Sequence, residues 1–131
     1  MNDYTSIIMA EDDPVTQDIT MRMLKKLGLR AKVVGNGRKV LQALEEHFYD
    51  IVLMDIQMPE MDGIEATRNI RARWPLGPKI IIITNCDAKD HRELCFIAGA
   101  NEFLAKPLKL EELTAAIERN KPQRTDVVCV V

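Results

Sequence analysis

No stretch of this 131-residue sequence stays apolar for more than about five residues, whereas a membrane-spanning helix needs roughly 20. The opening residues Met1-Asn2-Asp3-Tyr4 carry no basic segment and lead into no long apolar one, so no export signal is expected. Cysteine is scarce. Cys86, Cys95 and Cys129 are odd in number and form no Cys-x-x-Cys, which points to reduced thiols and a cytoplasmic setting rather than a disulfide framework. The two histidines, His47 and His91, stand at no zinc-ligand spacing from them. Neither charge is in excess: 18 basic and 20 acidic residues leave a net charge of -2. A bulk nucleic-acid binder or a polybasic membrane binder would be lopsided.

What is present is an ordinary globular mixture, 47% apolar and 29% charged, of a length that suits one domain with a sizeable core. Residues 1–120 read as that domain and 121–131 as a tail. Ser6–Ala10 reads as a first strand. Asp13-Pro14 then offers an N-cap followed by proline at the first helical position. Val15, Ile19, Met23 and Leu27 recur every four residues as a helix face, and Gly28 closes that helix. Arg30–Val34 is a second strand. Val40, Leu41, Leu44 and Phe48 mark a second helix. The continuous apolar run Ile51–Met54 is the mark of a strand covered on both faces.

Ile64, Thr67 and Ile70 place a third helix, and Lys79–Ile83 a second doubly buried strand. A fourth helix covers Lys89–Ala98 and stops at Gly99. Glu102–Ala105 is a short fifth strand, and Leu110, Leu113 and Ile117 mark a last helix. Val127–Val131 is an apolar segment that this scheme does not use. Arg68, Arg71 and Arg73 near Trp74 read as a solvated helix end. Strand and helix alternate five times, the rhythm of a doubly wound α/β fold on a five-stranded parallel sheet. Ligands of such folds sit beyond the carboxyl ends of the strands.

Those ends carry chemistry. Glu11, Asp12 and Asp13 follow strand one, Asp55 follows strand three, Thr84 ends strand four, and Lys106-Pro107 follows strand five. Asp13 is assigned to capping. The other carboxylates would repel one another in one pocket unless a hard divalent cation joined them, and magnesium takes one or two carboxylates while keeping several waters. One carboxylate is then available as a nucleophile toward a phosphoryl group, with Lys106 and Thr84 to meet the phosphoryl oxygens. A dehalogenase-type phosphatase would place a second aspartate where Gln57 stands. A flavodoxin-type phosphate loop would not carry Glu11 and Asp12, which repel phosphate.

The segments Met9-Ala10-Glu11-Asp12-Asp13-Pro14, Leu53 through Gly63 (with Met58-Pro59 and Met61-Asp62-Gly63), Ile82-Ile83-Thr84 and Lys106-Pro107 resemble the receiver domain of two-component response regulators, over about residues 5–120. The Ala10-Glu11-Asp12 opening is most similar to receivers of hybrid histidine kinases. The resemblance implies a flavodoxin-like (βα)5 fold. It makes Asp55 the phosphoacceptor and assigns the metal, Mg2+, to Glu11, Asp12, Asp55 and the backbone carbonyl of Gln57. Thr84, the backbone of Asn85, Lys106 and the rotating aromatic Phe103 become the phosphate-binding and switch positions, and Lys106-Pro107 a cis bond. Gln57 and Cys86 fall where the rate of phosphoryl loss is tuned.

The implied function is to accept a phosphoryl group from a histidine kinase or a histidine phosphotransfer protein and to change the surface around helix four, strand five and helix five. It is not an enzyme acting on other molecules. Direct nucleic-acid contact and membrane insertion are not expected. The alternative is a pseudo-receiver, the same fold used as a constitutive interaction module. Two departures stand out: Asn85 where a small residue is usual, and Phe103, which cannot hydrogen-bond as a tyrosine does.

Overall fold

The computed structural model describes residues 5–85 and 89–122. Five strands alternate with five helices: β1 (Ile7–Ala10), α1 (Pro14–Lys26), β2 (Ala31–Val34), α2 (Gly37–Glu46), β3 (Ile51–Met54), α3 (Gly63–Arg73), β4 (Lys79–Thr84), α4 (Lys89–Ala98), β5 (Glu102–Ala105) and α5 (Leu110–Asn120). All pairings are parallel, in the order β2-β1-β3-β4-β5. The doubly wound reading therefore holds, and strand boundaries fall within a residue of those expected. Among the described residues no helix is long and apolar enough to cross a membrane. Residues 123–131, with the apolar segment Val127–Val131, and Cys86 lie outside the described residues.

The continuous apolar strands are the interior ones. Every residue of β1 and β3 is buried, while the edge strand β2 is only half-buried. Successive side chains leave opposite faces of a strand, so each strand feeds two cores. Ile8, Val52, Ile80 and Ile82 pack with Val40 of α2, Ala66 and Ile70 of α3 and Cys95 of α4. Ile7, Leu53, Ile81 and Ile83 pack with Leu24 of α1 and Leu113 and Ile117 of α5.

Helices α1, α2 and α3 begin where the sequence offers a cap. Asp13, Asn36 and Asp62 each accept a hydrogen bond from the backbone N–H three residues on, at 2.9, 2.9 and 2.8 Å. Helix α1 ends in a Schellman turn. Gly28 N–H donates to the Lys25 carbonyl at 3.0 Å, Leu29 N–H to the Leu24 carbonyl at 2.9 Å, and Leu24 and Leu29 are buried in the same core. Gly28 adopts φ +77°, the left-handed region.

Three expectations need correction. The row Val15, Ile19, Met23, Leu27 is not the buried face of α1. Val15 is 65% and Ile19 46% exposed, and the buried residues are Thr20 and Leu24. A step of four residues overshoots a 3.6-residue turn by about 40°, so the row starts toward solvent and reaches the sheet only near the C-terminus. Phe48 is not on α2, which ends at Glu46, and it is 74% exposed. Arg71 is not a solvated helix end. Its guanidinium donates to the carbonyls of Gly99 (3.0 Å), Trp74 (3.3 Å) and Pro78 (2.8 Å) and to Asn101 Oδ1 (2.8 Å), which also accepts from Ile80 N–H. Burial pulls its pKa down, yet arginine remains charged in proteins. One side chain thus ties the loops that precede β4 and β5 to α3.

Two stability changes follow. Gly28→Ala has open space for its methyl group but forces an alanine to positive φ, so unfolding should come easier by about 1–2 kcal/mol. A lower denaturant midpoint at unchanged slope checks this. Arg71→Ala should cost roughly 2 kcal/mol by stranding carbonyls that it serves, and Arg71→Lys should recover only part, because an ammonium lacks the planar fork. Chemical denaturation of the pair of variants makes the comparison.

Candidate functional site

The register of the sheet brings the site together. Ala10 lies beside Met54, and Thr84 beside Ala105, so Glu11, Asp55 and Lys106 are the first residues past β1, β3 and β5. The ladder continues through them. Glu11 N–H donates to the Val34 carbonyl at 3.0 Å, Asp55 N–H to the Ala10 carbonyl at 3.1 Å and Lys106 N–H to the Thr84 carbonyl at 2.9 Å. These three backbones are thus as fixed as the strands. The order reverses between β1 and β3, the place where open α/β sheets bind ligands.

Carboxylate oxygens of Glu11, Asp12 and Asp55 lie within 4.8 Å of one another. Glu11 and Asp55 are buried, and Asp12 is exposed. Lys106 Nζ bridges the buried pair, donating to Glu11 Oε1 at 2.8 Å and to Asp55 Oδ2 at 3.2 Å. The other oxygens are also engaged: Asp13 N–H donates to Glu11 Oε2 at 3.1 Å, and Ile56 N–H to Asp55 Oδ1 at 2.7 Å. Burial pushes the Glu11 carboxyl above the usual range, and the charge of Asp55 adds to this, against the hydrogen bonds from Lys106 and Asp13. Burial pulls Lys106 down, but its hydrogen bond to Glu11 and the charges of Asp55 and Glu11 outweigh that and hold it above its ordinary value. Lys106 therefore stays an ammonium in the pocket.

Asp13, next in sequence, is turned away from the cluster. It caps α1, accepting from Thr16 N–H at 2.9 Å and Thr16 Oγ1 at 2.6 Å. Its carboxyl is held below the usual range by the Thr16 hydroxyl and backbone bonds. The capping assignment made from Asp13-Pro14 is what the structure has.

The loop between β3 and α3 explains its own sequence. Gly63 N–H donates to the Ile56 carbonyl at 2.8 Å, and a Cβ at Gly63 would collide with the Asp55 carbonyl. Only glycine lets α3 start this close to the residue that it supports. Glu60 takes φ 67°, an uncommon conformation for a side chain of its kind, and its carboxylate lies 3.5 Å from Asn36 Nδ2 and 3.7 Å from Arg38 Nε.

The remaining expected positions lie around this centre. Thr84, at the end of β4, is fully buried. Gln57 and Asn85 are exposed. Phe103 is half-buried against the α2–α4 core, with the Arg92 guanidinium 5.6 Å from its ring centroid. Lys106-Pro107 is cis. The sequence reading did not single out Arg92 or the bond between Glu11 and Lys106. No spacing rule links positions 95 residues apart in the chain.

The donor set suits a hard cation. Among the described residues it offers only oxygens, and three carboxylates face a single ammonium.

The model of the response regulator receiver domain family matches residues 7–118. The chain is 37% identical over 124 residues to hybrid signal transduction histidine kinase K of Dictyostelium discoideum, covering 88% of this chain and 10% of that protein. It is 38% identical over 108 residues to the autoinducer 2 sensor kinase/phosphatase LuxQ of Vibrio vulnificus, covering 82% of this chain and 12% of that one. It thus spans about a tenth of the length of these relatives. Among solved structures, the receiver domain of sensor histidine kinase PA1611 from Pseudomonas aeruginosa, described with a magnesium ion coordinated in its active site cleft, superposes with a TM-score of 0.80 at 38% identity, over 88% of this chain and 96% of that one. From the family match over nearly the whole described chain, and the acidic pocket at the switch point of its sheet, the chain belongs to the response regulator receiver domain family.

Proposed function

We propose that the chain is a phosphorelay receiver that takes a phosphoryl group onto Asp55 from the phosphohistidine of a histidine kinase or a histidine phosphotransfer protein. The observation that carries this is the convergence of Glu11, Asp12, Asp55 and Lys106 at one point beyond the sheet. Receiver domains are signalling modules, and this one acts on its own carboxylate rather than on other molecules. It is formed by residues 1–120, with 121–131 as a tail.

In the transfer, a carboxylate oxygen of Asp55 attacks phosphorus. The P–O bond forms as the P–N bond breaks, and the electron pair returns to the imidazole nitrogen. Ile56 N–H orients the Asp55 carboxylate through Oδ1. Lys106 is already at the pocket and exchanges its bond to Asp55 for one to a phosphoryl oxygen. Glu11 holds the other side of the ammonium and so keeps it aimed. Thr84 at the end of the neighbouring strand β4, and the Asn85 backbone just past it, would supply the remaining phosphoryl contacts. Magnesium would be held by Glu11, Asp12, Asp55 and the Gln57 carbonyl. It would supply the positive charge that offsets the carboxylates and the incoming phosphoryl oxygens.

The donor approaches over the start of α1, where the exposed Val15 and Ile19 offer apolar surface beside the pocket. Occupation of the pocket is read out through Thr84 and Phe103 at the surface of α4, β5 and α5. Gln57, exposed two residues past Asp55, would hold a hydrolytic water; Cys86, its expected counterpart, lies outside the described residues.

With acetyl phosphate and magnesium, intact-mass spectrometry should show the gain of one phosphoryl group, absent in Asp55→Asn. Equal labelling of that variant would remove Asp55 from the role, and no labelling of the parent protein would favour a constitutive interaction module. For the metal, Asp12→Ala should weaken magnesium binding at least about tenfold, the scale of losing a charged ligand, whereas Asp13→Ala should leave it nearly unchanged because Asp13 caps α1. Titration calorimetry on the two variants separates them, and the opposite ranking would shift the acidic pair by one residue.

A further inference from the structure

The charges of this nearly neutral chain are not spread evenly. From Ile19 to Leu44 there are seven basic residues and no acidic one, where the chain average would give about four acids. These residues form the second half of α1, all of β2 and most of α2, along the sheet edge that β2 leaves open. At the end away from Asp55, the turn between α1 and β2 makes a groove of about 470 Å³ lined by Met21, Arg22, Lys25, Gly28, Leu29 and Arg30.

Met21 and Leu29 belong to the apolar core behind it, while Arg22, Lys25 and Arg30 are exposed. Among the described residues, Lys25, Lys26, Arg30 and Lys32 have no ion pair, and Arg22 meets only Asp18, at 3.0 Å, with both side chains largely in solvent. Such a pair contributes little. Lys25 and Lys26 are accounted for in part by the helix C-terminus, which favours cations. Arg30 and Lys32 lie past it on the turn and the edge strand, and among the described residues they meet no acidic partner.

We propose that this groove docks an acidic segment of a partner protein, with an apolar side chain of that segment against Met21 and Leu29 and its carboxylates against Arg22, Lys25 and Arg30. A concave site of this size accepts side chains, whereas a flat bilayer cannot enter it. The protruding apolar residues that a bilayer would take, Phe48 and Leu76, lie on other loops. Among the described residues, the groove has no aromatic side chain on which a nucleic-acid base would stack. Helix α1 is 13 residues long, so the groove is about 20 Å from the pocket at the other end. A docked partner therefore leaves the Asp55 pocket accessible, and the docking does not depend on Asp55 being phosphorylated.

The test uses the whole chain, 15N-labelled, titrated at low salt with a synthetic peptide that alternates glutamate and leucine. Saturable shifts should centre on the amides of Gly28, Leu29 and Arg30. A lysine–leucine peptide should leave them unmoved. Joint Lys25→Glu and Arg30→Glu substitution should weaken binding about tenfold or more, as like charges across a contact repel, while labelling by acetyl phosphate stays as in the parent. Both positions are exposed, and an unchanged melting curve confirms that the variant is folded; Arg30→Gln alone should weaken binding less. Absence of saturable shifts, shifts centred elsewhere, equal binding by the reversed variant or by the lysine peptide, or tighter binding to phosphatidylserine–phosphatidylcholine vesicles than to the glutamate peptide would each overturn the proposal.

Discussion

The structure depends on the parallel register continuing one residue past the strands. Three backbone hydrogen bonds, from Glu11 to Val34, Asp55 to Ala10 and Lys106 to Thr84, extend the sheet into the pocket. A carboxylate at the tip of a flexible loop would turn toward water and away from its like-charged neighbour. Here the backbones are fixed by the strands, and the strands by apolar burial on both faces. Burial of isoleucine and valine far from the pocket, at tens of calories per Å², is what holds Glu11 and Asp55 together. The packing energy of the two cores is set against local repulsion, and the cores win by size.

That arrangement also explains the division of the acidic run. Glu11 points inward and pairs with Lys106, Asp12 stays exposed at the rim, and Asp13 turns back to cap α1. Glu11 and Asp12 stay within 4.8 Å of each other while differing in burial, and Pro14 starts the helix that claims Asp13. The same economy marks the loop after β3, where Asp55 is supported from below by a glycine with no room for a side chain, and Asp62 caps the helix that this glycine begins.

Much of this was legible in the sequence, and the reasons differ by residue. Ile51–Met54 and Lys79–Ile83 declared themselves because interior parallel strands are apolar throughout. Asp13-Pro14 and Gly28 declared themselves because caps are local chemistry. The pocket was legible because the fold class sends every strand end to one side. What was misread required tertiary information. The row from Val15 to Leu27 is periodic but winds from solvent toward the buried face, and only the sheet beneath it defines that face. Phe48 is apolar yet exposed, and nothing local says so. Arg71 looks like any surface arginine until loops from β4 and β5 arrive around it. The bond between Glu11 and Lys106 joins residues 95 positions apart and has no sequence signature.

That last bond bears on how the molecule comes into being. Within the domain Glu11 and Asp55 come before their partner, and the ammonium that bridges them lies 95 and 51 residues later. On a ribosome the first three strands emerge with two carboxylates destined for burial and no cation to accompany them. Burying them then would leave charge without a counter-charge, which is costly. Completion of the sheet must await the fifth strand and the lysine that follows it. The pocket therefore makes folding a property of the domain as a whole, and a fragment lacking β5 lacks the group that lets its own centre close.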